Sequence, residues 1–417
     1  MNAPPDREST SRHAGYREDP ARGTFLVDPR AYTDPQIFEA EQRAIFDRCW
    51  LYLGHETEVP EKGDYLTRRV GGRPLILARG EDGELRVFFN VCSHRGGVVC
   101  REPRGNARAW SCFYHSWSYD NQGRLLGLPN PEAYPPGFTG RELGLVRARM
   151  ENYRGLLFVC YDAQAAGLVD YLAGAREVLD LILDRTQGEG LAVLPGTHDY
   201  GIHANWKALM ENTMDGYHLF QMHRRFMTDY MQKVLNVNAS RAVFDSGGAY
   251  DLGNGHAMFE HATLGGSANV DAGKRALFEQ RFGPERAARM LGKIRQLSLF
   301  PNTLFIELWQ SIRTINPVSA DRMEVSAWAL MERVEDPALR ERRLAMYTAF
   351  LGPCGFSTPD DIEALEMCHQ NYRRIPEMRP LDMSRGMGKA HPLADDELQL
   401  RLFWKRWHEL LGRGAAQ

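Results

Sequence analysis

The sequence predicts an α+β protein of two domains, a small all-β domain followed by a larger α+β domain with antiparallel strands. Three observations predict it. First, 417 residues exceed what one hydrophobic core usually organises. Second, short β-type runs broken by turn residues fill the chain from Gly63 to Val159. Third, helical periodicity returns after Tyr161, and long strand-like runs follow it.

In chain order, residues 1–24 are polar and rich in Pro, Arg and Asp, and read as a flexible arm. "DPQIFEAEQRAIFDRCWLYLG" (Asp34 to Gly54) has apolar residues at helical spacing behind an Asp-Pro start. The runs "DYLTRRV", "PLILAR", "LRVFFNV" and "LLFVCY" read as strands, with Glu81-Asp82-Gly83 as a hairpin turn. "YLAGAREVLDLIL" and "NWKALMENTMDGYHLFQMH" then read as helices, whereas "NTLFIELWQSIRTIN" and "MEVSAWALMERV" read as antiparallel strands. Gly265 to Gly273 reads as an exposed loop near the site, and no internal repeat is present. The expected boundaries are an N-terminal arm and helix over 1–40, packed on the larger domain, a small domain over 41–160 and the larger domain over 161–417.

Composition excludes several classes of function. A formal charge of -3 and the lack of any long like-charged block argue against nucleic acid or anionic lipid as partner. No apolar run approaches a membrane span, and the first twenty residues lack the apolar centre of a signal peptide. The seven cysteines are odd in number and mostly isolated, which fits thiols in a reducing cytoplasm rather than a disulfide framework.

The most informative stretch is "NVCSHRGGVVCREPRGNARAWSCFYHSWSY" (Asn90 to Tyr119). Two turns, Cys92-x-His94 and Cys112-x-x-His115, each offer one thiolate and one imidazole, and seventeen residues separate them. Zinc ribbons and fingers segregate Cys pairs from His pairs, and buried thiols beside surface histidines would have no reason to match. One Cys and one His from each loop is what a Rieske [2Fe–2S] cluster needs, two thiolates on one iron and two imidazoles on the other. Neutral imidazoles remove negative charge from the ligand set, which raises the reduction potential and lets the cluster accept electrons. Cys100, between the pairs, reads as packing.

More than 250 residues follow that domain, and "NWKALMENTMDGYHLFQMH" within them gathers Glu211, Asn212, Asp215, His218 and His223. His218 and His223 are the candidate iron pair. Five residues apart on a regular helix they would point about 140° from each other, so a π-type irregularity between them is expected. On the same helix Asp215 would lie about 60° from His218, free to face another surface. Non-haem iron oxygenases complete such a pair with one carboxylate. "GFSTPDDIEALEMCHQ" offers Asp360 and Asp361 behind a Thr358 cap and Pro359, although acids also favour a first helical turn for its dipole alone. Spacing cannot choose between the two aspartates.

With these residues on view, the chain resembles the large (α) subunit of Rieske non-haem iron aromatic ring-hydroxylating oxygenases over roughly residues 25–400. "CSHRGG" with "CFYHSW", "NWK" followed by "EN", "D-x-YH" with the second His, and the late "DD-x-E" carry the resemblance. It implies that Cys92, His94, Cys112 and His115 hold the cluster, that His218, His223 and Asp361 hold a mononuclear Fe(II), and that Asp215, with Asn212 beside it, serves catalysis by bridging the centres. It also implies a helix-grasp-like catalytic domain on a central antiparallel sheet and electrons from an NADH-dependent reductase, directly or through a ferredoxin. The assembly implied is a trimer, with or without small β subunits, in which the bridge crosses between neighbours. O2 is the co-substrate, and one or both of its atoms enter an aromatic ring. Ser116 departs from the family, many members of which have Gly after the second cluster His; this bears on local packing rather than ligation. The rival classes are a Rieske electron carrier without catalysis and a zinc-stabilised binding protein.

For the substrate, the sequence resembles the branch acting on benzoate, cumate, salicylate or terephthalate-like acids. In "LFIELWQSIRT", strand alternation puts Phe305, Glu307, Trp309, Ser311 and Arg313 on one face. Arg313 could clamp a benzoate-type carboxylate with two parallel hydrogen bonds, or form a salt bridge to Glu307 or another acid. A neutral hydrocarbon is the alternative substrate.

Overall fold

The computed structural model describes residues 15–138, 140, 142–186, 190–234, 242, 246–263 and 272–414. The expected loop over 265–273 falls almost wholly outside them. No helix among the described residues is long and apolar enough to cross a membrane.

Of the arm expected over residues 1–24, the first fourteen lie outside the described residues, and from Tyr16 onward it is strand rather than flexible chain. Tyr16–Asp19 and Thr24–Val27 form an antiparallel hairpin that Leu381–Asp382 joins as a third strand. Tyr16 stacks on Phe25 at 4.5 Å, an apolar contact inside a polar stretch that local composition averages away. The helix expected from Asp34 starts at Pro35, capped by the Asp34 side chain, and runs as an α-helix to Glu41 and a π-helix to Phe46. It stops there, because Leu51–His55, the end of the same apolar run, is a fully buried strand paired with Leu156–Cys160.

The small domain is built from Asp64–Val70, Arg73–Arg79, Leu85–Phe89 and Arg104–Asn106 in one sheet, with Ala109–Ser111, Ser118–Asp120 and Leu125–Gly127 in another. The hairpin at Glu81–Gly83 closes through Gly80 N to Glu84 O at 2.9 Å, and Gly83 takes the positive φ of 86° that this turn needs.

The larger domain centres on an eight-stranded antiparallel sheet. From one edge, Leu191–Val193 and His198–Ile202 both pair with Arg322–Glu332; Ser311–Ser319, Thr303–Ile306, Lys293–Leu299, His256–Ala262 and Gly248–Gly253 follow. The run expected as one alternating strand is interrupted. Glu307–Trp309 forms a 3₁₀ turn and Gln310 is left-handed at φ 45°, so Thr303–Ile306 folds back on Ser311–Ser319 instead of continuing. Arg313 therefore shares no strand with Phe305 or Glu307.

Three elements from distant parts of the chain meet at one buried carboxylate. Glu41 accepts from Trp206 Nε1 at 2.8 Å, Lys207 Nζ at 2.5 Å and Trp407 Nε1 at 2.7 Å, and neither Glu41 nor Lys207 has any solvent exposure. A buried ion pair is tolerated only when its remaining donors and acceptors are met, and here the two indoles meet them. The network seats the Trp206–Met214 helix between the Pro35–Glu41 helix and the Leu398–Gly414 helix.

Candidate active site

The two cysteine-histidine turns form a matched pair of loops. In one, Cys92 N donates to Gly97 O at 2.7 Å and Gly96 N to Cys92 O at 2.9 Å; in the other, Cys112 N donates to Trp117 O at 2.8 Å and Ser116 N to Cys112 O at 2.9 Å. Both thiols are buried, and the rings of His94 and His115 stand 4.6 Å apart. Trp117 stacks on His94 at 4.7 Å, and Tyr119 Oη lies 3.1 Å from the Cys92 sulfur. A Cβ added to Gly97 would come within 3.0 Å of Cys112 Sγ, so this glycine lets the loops close around the sulfurs. The buried Nδ1 of His94 has no hydrogen-bond partner. Two thiols and two rings converging with an unpaired ring nitrogen fit a [2Fe–2S] cluster held by Cys92, His94, Cys112 and His115. Ser116 sits at φ 57°, which explains why Gly is common at this position. Cys100 is buried packing, its thiol against Tyr65 and 3.7 Å from Glu102 O.

In the larger domain His218, His223 and Asp361 bring one ligand atom each within 4.8 Å of the others, the only such group of three among the described residues. Asp361 Oδ1 lies 3.1 Å from His223 Nε2 and 3.7 Å from His218 Nε2. The expected π-type turn between the histidines is not there. The Trp206–Met214 helix ends, Asp215 is extended, and a separate helix, Leu219–Met222, places His218 at its start and His223 at its end. His223, at φ -93° and ψ 28°, leaves helical geometry there, while the π-helix comes afterwards at Phe226–Val234. Asp215 thus shares no helix with His218; from its extended position its Oδ2 reaches His218 Nδ1 at 3.2 Å, and its Oδ1 accepts from Tyr217 N at 2.6 Å. Burial disfavours a charged His218 ring, yet Asp215 and then Asp361 outweigh it and raise the pKa. Burial likewise opposes an ionised Asp361, but His223, His218 and Asn212 keep its pKa low.

Asn212 Nδ2 donates to Asp361 Oδ1 at 3.1 Å and lies 3.5 Å from His218 Nε2. Glu211 turns the other way, accepting from Tyr32 Oη at 2.6 Å and Trp404 Nε1 at 2.8 Å. Asp361 is buried in the first turn of the Thr358–Arg374 helix, whereas Asp360 is exposed and reaches only His223 Nδ1, at 3.8 Å. Thr358 does not cap this helix; its hydroxyl donates to Leu351 O at 3.1 Å. Ser357, which sequence reasoning missed, precedes it and sets its Oγ 3.1 Å from His223 Nε2 and 3.2 Å from Asp361 Oδ2. A serine before Thr-Pro-Asp-Asp was the available signal.

A cavity of about 830 Å³, counted with its open mouth, extends from these groups. Phe226, Met231, Phe259, Leu308, Trp309 and Phe350 make it largely apolar. Arg313 lines it, 4% exposed, and among the described residues makes no ion pair. Its Nη1 lies 3.3 Å from Thr213 Oγ1, and its buried Nε has no partner. The salt bridge to Glu307 is absent, because Glu307 is held by Arg185 at 2.7 Å and Arg295 at 3.4 Å.

Comparison with known proteins agrees with this architecture. Residues 49–148 match the Rieske [2Fe-2S] domain, and residues 184–413 match the ring hydroxylating alpha subunit catalytic domain. The chain is 36% identical to the toluate 1,2-dioxygenase subunit alpha of Pseudomonas putida, an alignment covering 85% of this chain and 81% of that one. It is 30% identical to the 2-halobenzoate 1,2-dioxygenase large subunit of Burkholderia cepacia, over 86% and 79%. The structure of naphthalene 1,2-dioxygenase from Rhodococcus sp. bound to indole superposes with a TM-score of 0.83 at 27% identity, covering 93% of this chain and 94% of that one.

Proposed function

Because the chain belongs to the ring-hydroxylating dioxygenase alpha subunits, and so carries a Rieske [2Fe-2S] cluster and a mononuclear iron, we propose that its substrate is an aromatic carboxylate held by Arg313. The observation that carries this reading is a buried guanidinium, without a counter-ion among the described residues, in an apolar cavity that His218, His223 and Asp361 also line. A buried cation without an anion is costly, and a bidentate carboxylate relieves that cost. The names of relatives that act on toluate and halobenzoate support the same choice over a neutral hydrocarbon.

His218, His223 and Asp361 would hold the iron, and Cys92, His94, Cys112 and His115 the cluster. When bound, the cluster supplies single electrons and the iron supplies the oxygen chemistry of a two-histidine, one-carboxylate centre. The chain's own groups do the rest. Asp215 keeps a proton on Nδ1 of His218, which fixes the tautomer and leaves Nε2 free to ligate. Asn212 orients the Asp361 carboxylate, the aromatic wall positions the ring, and the apolar lining keeps bulk water away.

Electron entry and assembly are part of the same reading. An NADH-dependent reductase, directly or through a ferredoxin, would be the electron source, and Asp215 would link His218 to the cluster-holding histidines of a neighbouring subunit in a trimer, with or without β subunits. The exposed apolar collar on the cluster loops, with Val98 at 39%, Phe113 at 62% and Tyr114 at 52%, supports a second copy as its cover. Cys92 and Cys112 aside as cluster ligands, the other five cysteines form no disulfide, which supports a cytoplasmic setting. The boundaries 1–40, 41–160 and 161–417 remain our division of the chain.

The test compares benzoate-type acids with their methyl esters and amides in wild type and Arg313→Met. The acids should be preferred in wild type, and Arg313→Met should lower their kcat/KM by about 100-fold or more. Equal turnover of the uncharged analogues, or an unchanged kcat/KM in the variant, would remove the clamp.

A further inference from the structure

Two arginines line the cavity, and their surroundings differ sharply. Arg295, on the Lys293–Leu299 strand, is 2% exposed. Its cross-strand neighbour Glu260 places Oε2 3.5 Å from Nε, and Glu307 Oε2 lies 3.4 Å from Nη1 while accepting from the Arg295 backbone N–H at 2.8 Å. The third direction is closed by Arg289 O, which accepts from Nη2. The other oxygen of Glu307 accepts from Arg185 Nη1 at 2.7 Å. Arg185 and Arg295 are thus balanced by Glu260 and Glu307, with the Glu307 side chain only 2% exposed. The Nε of Arg313, like that of Arg295, makes no hydrogen bond, but among the described residues Arg313 has no carboxylate within ion-pair distance.

We propose that Glu307, reinforced by Glu260, restricts the cavity to aromatic monocarboxylates by cancelling the charge of Arg295, so that Arg313 alone calls for an anion. This rests on the reading of Arg313 as the carboxylate clamp. A single ring carboxylate neutralises Arg313 and leaves the rest of the ring against Phe226, Ile306, Trp309 and Phe350. A second carboxylate would be desolvated among these side chains with no uncommitted cation to receive it. Glu307 never needs to touch the substrate. It acts through Arg295 as a positioning residue and discriminates by withholding a counter-charge.

Glu307→Gln keeps the shape and releases Arg295, so a change in selectivity would report charge rather than fit. The experiment uses the holoenzyme and two measurements: kcat/KM, and the quench of tryptophan fluorescence on binding, since Trp309 lines the cavity. The probes are benzoate and benzene-1,3- and 1,4-dicarboxylate. Wild type should favour benzoate by about 100-fold, and Glu307→Gln should raise the dicarboxylate-to-benzoate ratio by about tenfold or more in both measurements. Glu260→Gln, which removes the longer and more exposed contact, should raise it by about threefold. If Glu307→Gln does not fold, Glu260→Gln decides. Dicarboxylates accepted by wild type nearly as well as benzoate, or a ratio unmoved in the folded variants, would overturn the proposal. If Arg313→Met removes the preference for benzoate over methyl benzoate while the ratio stays fixed, only the role of Glu307 falls; if methyl benzoate already equals benzoate in wild type, the clamp falls first.

Discussion

Asn212 and Asp361, 149 residues apart in sequence, are joined by a hydrogen bond of 3.1 Å from the amide to the carboxylate oxygen that also faces both histidines. The oxygen nearest the ring nitrogens is thereby held by the helix that precedes them. Asp361→Ala should lose mononuclear iron and keep the cluster absorption, whereas Asp360→Ala, which alters an exposed group, should keep both. Asn212→Ala should weaken iron binding by about 10–100-fold. Iron quantification with visible spectra distinguishes these, and iron lost from Asp360→Ala but retained in Asp361→Ala reverses the assignment.

Asp215 holds His218 by Nδ1 and keeps its side chain 21% exposed, so it reaches the ligand and the surface together. Asp215→Ala should retain both metals and lose turnover by about 100-fold or more, measured with chemically reduced cluster in single turnover. An active monomer in sedimentation, or a fully active variant, would end the bridging role.

Ser116 occupies a left-handed conformation at φ 57° on an exposed turn of the cluster loop. Strain of about 1–2 kcal/mol per non-glycine residue there is offset by about 0.4–1 kcal/mol of unfolded-chain entropy that glycine brings. Ser116→Gly should therefore stabilise the small domain by about 0.5–1 kcal/mol. Thermal loss of the cluster absorption should move upward, with the potential little changed.

Burial pushes the Glu211 carboxyl up to about 7, against donors from Tyr32 and Trp404 that favour its ionised form. The folded state therefore binds the proton more tightly than the unfolded chain, near 4.5. The stability gained from it is complete below about pH 4.5 and fades as pH rises through about 7. Glu211→Gln keeps one acceptor oxygen for both donors and stays neutral. Urea midpoints at pH 5 and pH 8 should differ less in the variant than in wild type, by a contribution on the order of a few kcal/mol at most.

Much of this was legible in sequence because the chemistry is local. Cys92-x-His94 and Cys112-x-x-His115 sit in short loops whose spacing is their function, and Glu81-Asp82-Gly83 names its own turn. The His pair was legible, but its geometry was not, since a helix break at Asp215 is set by what packs around it rather than by spacing. Leu51–Gly54 looked helical because a short apolar run cannot tell strand from helix by period. The interruption at Gln310 left no mark, as glutamine does not announce a left-handed turn. Ser357 and the balance of charge on Arg295 depend on contacts across the sheet and between helices, which no single-sequence pattern contains.

The carboxylate of Glu41 gathers donors lying 165, 166 and 366 positions away in the chain. During synthesis, then, the helix bearing Asn212 has no finished seat until Trp407 has left the ribosome. The seat of the helix bearing Asn212 is therefore expected to close only after most of the chain is made, and contacts this distant in sequence are gathered slowly. Lesions in the last helix would for that reason surface as failed metal loading, far from any ligand.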